Sequence, residues 1–229
     1  MSSNPNTSPV NPVPPVVVAI FLIMLVVEAA FTLGNQGFIG GPQAVGWRLA
    51  ALSEYGFIND RFDYMVKTNT WFARELMRLI TYPFLHGSMT HMIMGGVMLL
   101  AMGKFVGDVF AGWAVAVVFF ASAIGGAVIW ALLLDSKYPL IGAFPGVYGL
   151  IGAFTFLLWL RLGQLGENQM RAFTMIGFLM GIQLVFGILF GSDTQWVADV
   201  AGFLVGFLMS FVVSPGGWRR LRARLRTRG

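Results

Sequence analysis

His86 and His91 are the two histidines of this 229-residue chain, five positions apart where a charged segment meets a long apolar run. A histidine can act as acid, base or metal ligand near neutral pH. Paired metal ligands on one helix favour a spacing of four, so a spacing of five argues against a helical metal site. The chain has no cysteine to complete one. His86 is expected in a loop with hydrogen bonds to backbone, and His91 inside a cavity. Asp199 is the second feature, a carboxylate within the last apolar run. Charge is costly in the hydrocarbon core, so an ionisable residue there is first read as functional. The third is the stretch Gly142-Ala143-Phe144-Pro145-Gly146-Val147-Tyr148-Gly149-Leu150-Ile151-Gly152, which opens the fourth apolar run and contains no serine. A serine-type hydrolase needs a hydroxyl beside a base. The nearest hydroxyl candidates lie elsewhere, at Ser88 and Ser192.

The elements that must position these residues follow from composition. Hydrophobic residues make up 57% of the chain and charged residues 11%, whereas a soluble domain carries about a quarter charged residues. The chain therefore reads as an integral membrane protein of the all-α class. About 20 apolar residues cross a bilayer. Runs at 16–33, 89–105, 113–134, 146–160, 173–190 and 196–213 give six expected spans. Residues 1–15 read as a disordered leader, 16–213 as one transmembrane domain and 214–229 as a basic tail. Residues 35–83 mix aromatics with charges and read as a long first loop, carrying short amphipathic helices at the headgroup level.

The net charge of +5 is no signature of a nucleic-acid partner, because Arg219, Arg220, Arg222, Arg224, Arg226 and Arg228 crowd the tail. Basic residues mark the inner face of a membrane. With six spans, both termini, Lys104, Arg161 and Arg171 are expected on the cytoplasmic side. Glycines cluster within the runs, including Gly202-Xxx-Xxx-Xxx-Gly206, a spacing that lets helices approach closely. Glu28 in the first run lacks an evident partner. Met92, Met94, Met98 and Met102 read as adaptable core packing, and Gln183 as polar glue between helices.

Three of these passages together resemble the rhomboid intramembrane serine proteases. The stretch from Arg74 to His91 resembles the family's passage into its second span, with Arg78 of a Trp-Arg pair kept and the tryptophan lost to Met77. Both histidines match. Gly95 stands where the family has an oxyanion-stabilising asparagine. The 142–152 stretch resembles the nucleophile region through Gly142, Ala143, Tyr148, Gly149 and Gly152, but Phe144 replaces the serine and Pro145 the glycine after it. Ala198-Asp199-Val200-Ala201-Gly202 resembles the base region with Asp199 in place of the histidine. The likeness covers about 72–213. It implies a six-helix rhomboid-like bundle with a long first external loop.

The resemblance also implies what is missing. Phenylalanine is no nucleophile, Gly95 offers no oxyanion side chain, and Pro145 lacks a backbone N–H. No catalytic residue is assigned. The structural reading of Asp199 is a protonated carboxyl hydrogen-bonded to Tyr148, which in the family packs against the base. The leading expectation is a pseudoprotease in a bacterial inner membrane. It would bind a transmembrane helix of a client protein at a pocket of His91, Phe144, Pro145, Tyr148 and Asp199, as adaptor, chaperone or quality-control factor. No cofactor or metal is expected, and the lipid bilayer is the other partner. The alternative is an active rhomboid-type endopeptidase with displaced catalytic residues. A proton-coupled transporter predicts paired acids or a repeat between the halves, and neither is visible.

Overall fold

A computed structural model describes residues 12–190 and 194–216 and the side chains there other than those of 183–190. The first part of the expected leader, Gln183's side chain, Ser192 and the tail arginines lie outside the described residues.

The first helix, α1 (Pro15–Asn35), is followed by a 3-10 turn at Gly41–Gly46 and three short helices, α2 (Trp47–Tyr55), α3 (Asn59–Thr68) and α4 (Ala73–Thr81). A second 3-10 turn at Tyr82–Phe84 leads into the long helices α5 (Met89–Gly107), α6 (Gly112–Leu133) and α7 (Phe144–Gln164). After a 3-10 turn at Gln169–Phe173 come α8 (Thr174–Phe190) and α9 (Trp196–Val213). Helices α1, α5, α6, α7 and α9 are long and apolar enough to cross a membrane. The sixth expected span, α8, has 17 residues among those described and rises about 26 Å, at the lower end of the lengths that cross a bilayer.

Helix α7 begins two residues before the expected span and ends four after it. Pro145 explains the early start. In the first helical turn its missing N–H has no intrahelical acceptor to lose, and its fixed φ suits the helix. The late end reflects Arg161-Leu162-Gly163-Gln164, which continue the helix beyond the apolar run until Gly166 takes a left-handed φ of 70°.

The bundle closes around α7, and its glycines set the spacing. A Cβ added to Gly206 would lie 2.0 Å from the Gly149 carbonyl oxygen, and one on Gly202 would lie 2.2 Å from that of Pro145. Helices α7 and α9 therefore meet backbone to backbone, the approach that small residues permit in membranes. On the other side α1 packs along α5, with Val17 against Gly103 and Phe21 against Gly96.

The long first loop is folded and docked. Arg78, 1% exposed, donates to the carbonyls of Ser53 at 2.9 Å and Gly56 at 2.8 Å and pairs with Glu75 at 2.8 Å. It thereby ties α4 to the end of α2. Phe57, Phe62, Met65, Leu79 and Tyr82 form one core with Trp130 of α6 and Ala198 of α9. Phe57 and Leu140 exchange both backbone hydrogen bonds, at 3.1 and 2.8 Å. This bridge fastens the loop to the segment that delivers α7. Phe38, Tyr64, Trp71 and Phe72 remain exposed, as suits aromatics at a headgroup layer.

Candidate functional site

The site forms where the 85–88 loop, the start of α5 and the start of α7 converge. Ser88 caps α5, its hydroxyl accepting from the His91 backbone N–H at 3.2 Å, a favoured N-cap arrangement. The Gly87 N–H donates to His91 Nδ1 at 3.4 Å, which leaves the proton of a neutral ring on Nε2. The displaced-nucleophile candidate Ser88 is thus engaged as a helix cap.

Gly142 sets the turn into α7. Its φ is 93°, a conformation open to glycine, and an added Cβ would lie 3.0 Å from the His91 ring. Its N–H donates to the Tyr82 carbonyl at 3.1 Å. The Tyr82 hydroxyl donates to the Ala123 carbonyl at 2.7 Å. Two fixed points therefore hold the turn, and it projects Phe144 across the face of His91. The rings stack with centroids 5.1 Å apart and planes 14° from parallel. His86 meets His91 edge-on at 5.2 Å.

Gly95 opens onto the same space. An added Cβ would have ordinary contacts, 3.7 Å from His86 Nε2 and 3.7 Å from the Phe144 ring. A side chain at position 95 would therefore point between His86 and Phe144.

His86 is buried, and neither ring nitrogen has a hydrogen-bond partner of good geometry among the described residues. The ring was expected to bond to backbone, and the Phe84 carbonyl is the backbone group that acts on it; the His86 carbonyl in turn accepts from Arg48 at 2.7 Å. Burial pushes the His86 pKa down to about 4, helped by the neighbouring His91 and Arg48 and opposed by the Phe84 carbonyl. Its ring is neutral at pH 7.

Arg48 also resolves Glu28. The guanidinium forms a two-pronged pair with the Glu28 carboxylate at 2.6 and 2.8 Å, and Thr32 donates to the same carboxylate at 3.3 Å. Glu28 is 1% exposed. One residue thus links α1, α2 and the histidine loop. The charge at position 28 was the signal, but nothing in the spacing selected Arg48 among the five basic residues of the loop.

Asp199 sits in the first turn of α9, 5% exposed. Tyr82, in the loop turn, has its pKa raised well above the ordinary value by burial first and by Asp199 second. Tyr82 was absent from the sequence candidates, although it lies within the passage that matched. Pro145 is buried at the seam of α6, α7 and α9, against Gly126 and Gly202. Phe144, half-buried, joins Tyr148, Ile151, Ile176 and Phe203 in a cluster spanning α7, α8 and α9.

Chemically this is an aromatic wall beside two imidazoles. Two hydroxyls near α7, Ser122 packed against Gly149 and Thr155 of α7 itself, are fully buried and closed to water. Among the described residues no three His, Asp or Glu side chains gather to hold a metal.

Comparison with known proteins agrees with this architecture. The family model of the Rhomboid domain matches residues 73–216. The chain is 29% identical over 142 residues to RHOMBOID-like protein 4 of Arabidopsis thaliana, covering 61% of this chain and 34% of that protein. It is 25% identical over 200 residues to "Inactive RHOMBOID-like protein 8" of the same plant, covering 82% and 56%. It is 25% identical over 177 residues to "Putative rhomboid protease YdcA" of Bacillus subtilis, covering 76% and 86%. The chain thus spans about a third to a half of the length of the two plant relatives. A family match running from the start of α4 to the end of α9, over helices that converge on the 142–149 turn, has one conclusion: the chain belongs to the rhomboid family of integral membrane proteins.

Proposed function

We propose that this rhomboid-family protein is a pseudoprotease that holds a transmembrane helix of a client protein without cutting it. One observation carries the reading: Phe144 occupies the first turn of α7 and stacks on His91, at the position where the resemblance expects a serine. The ring would take the space a nucleophile and its substrate carbonyl need, and phenylalanine itself supplies no hydroxyl. Gly95 adds no donor there, and Pro145 removes one N–H from the turn. The name of the inactive plant relative is consistent with such a role.

The client would enter beside α8. Phe178 and Ile182 of that helix are exposed, and Gly177 and Gly181 have nothing within 4 Å of an added Cβ. Phe144 would then give a client helix an aromatic surface in place of reacting atoms. The same reading puts the protein in a bacterial inner membrane with both termini cytoplasmic, supported by Lys104, Arg161 and Arg171 at one end of the bundle. Labelling with a serine-directed fluorophosphonate, followed by peptide mapping, tests the reading against an active enzyme. No labelled serine is expected. A stoichiometric adduct at Ser88 or Ser192, lost on substitution of that serine by alanine, would establish the displaced-nucleophile alternative.

A further inference from the structure

A recess lies at the opposite end of α7 from Phe144, where α5, α7 and α9 all end. Its volume is about 570 Å³, within the roughly 300–1,000 Å³ of ligand sites. Phe105, Phe154 and Leu157 give it an apolar wall, and Arg161, Gln164 and Ser214 give it a polar mouth. Two features point to an anionic, amphiphilic occupant.

The first is charge. At this end of the bundle Lys104 is matched by Asp108 at 2.6 Å, and Arg171 by Glu167 at 3.3 Å. Among the described residues no carboxylate forms an ion pair with Arg161. The second is Ser214. It is 5% exposed and lines the recess, and its hydroxyl has no hydrogen-bond partner among the described residues. Buried hydroxyls are ordinarily satisfied. The chain's own continuation is a poor occupant, because residues 219–228 contribute six arginines that would repel Arg161.

We propose that this recess is a binding site for one phospholipid with an anionic headgroup. An acyl chain lies along Phe105, Phe154 and Leu157, and the phosphate meets Arg161 and Gln164 at the mouth, over Ser214. The site is separate from the Phe144 wall and does not depend on whether that wall binds a client.

The test uses the full chain, reconstituted in vesicles of phosphatidylcholine with a minor share of phosphatidylglycerol, then released and weighed by native mass spectrometry. One phosphatidylglycerol is expected to be retained in preference to phosphatidylcholine. Arg161→Gln should lower that preference about fivefold, the effect of about one basic residue at an anionic surface, and Arg161→Lys should restore most of it. Val109→Trp, at the exposed rim, should displace lipid of either kind. Equal retention of both lipids by the wild type would overturn the proposal. So would a preference unchanged by Arg161→Gln, which would locate it on the basic tail. A second copy of the chain in place of lipid, seen as a dimer that Val109→Trp disrupts, would also overturn it. Arg161 is exposed, so its variants decide the matter even if the tryptophan impairs folding.

Discussion

At the scale of single residues, His86 has the most readily measured behaviour. Its folded pKa lies near 4, against about 6.5 for an unperturbed histidine. Between those values the unfolded chain binds a proton that the folded chain refuses. Stability is therefore complete above about pH 6.5 and is lost as pH falls toward 4, by about 3 kcal/mol over the whole window. Thermal melting in detergent across that range should show the loss, and His86→Gln should flatten it. An equal slope in wild type and variant would contradict the buried, neutral ring. The residue scale also shows what could be read from the chain alone. Gly95, His91 and Phe144 emerged from spacing and resemblance, and the fold brings them together. The Glu28–Arg48 pair did not emerge, because the partners lie 20 residues apart on different helices and only the folded loop selects one basic residue.

At the scale of elements, the same small-residue spacing has two fates. Gly202 and Gly206 on α9 touch α7 backbone, whereas Gly177 and Gly181 on α8 face open space. Nothing in either sequence distinguishes them, since the difference lies in which helix face the rest of the bundle covers. Substitution should separate them. Gly206→Leu forces side-chain atoms into the Gly149 carbonyl and is expected to reduce stability by several kcal/mol or prevent assembly, at the upper end for overpacked sites. Gly177→Leu should leave the melting temperature within a degree or two while weakening capture of a client. If the two variants melt alike, the α7–α9 contact is not the seam described. Helix boundaries were less legible than helix identity: α7 extends beyond its apolar run at both ends because Pro145 fits a first turn and Arg161 to Gln164 continue the helix.

At the scale of the whole molecule, the rhomboid bundle is retained while the first turn of α7 presents Phe144 where the resemblance expects a serine. The glycine seam, the docked first loop and the strict turn at Gly142 all serve to present one residue, and that residue is Phe144. A scaffold kept with a ring in place of a hydroxyl fits a protein that receives a helix at this position. Capture at position 144 is the direct measurement. Phe144 is replaced by the aromatic photocrosslinker benzoylphenylalanine in the full chain, a single-span client carrying tags at both ends is co-reconstituted, and the products are read after illumination and, for the wild type, after prolonged incubation. An adduct containing both client tags, formed through the client's membrane span, is expected, with no client fragment from the wild type. Client fragments generated by the wild-type protein, or the absence of any adduct to the client's membrane span, would contradict the pseudoprotease reading.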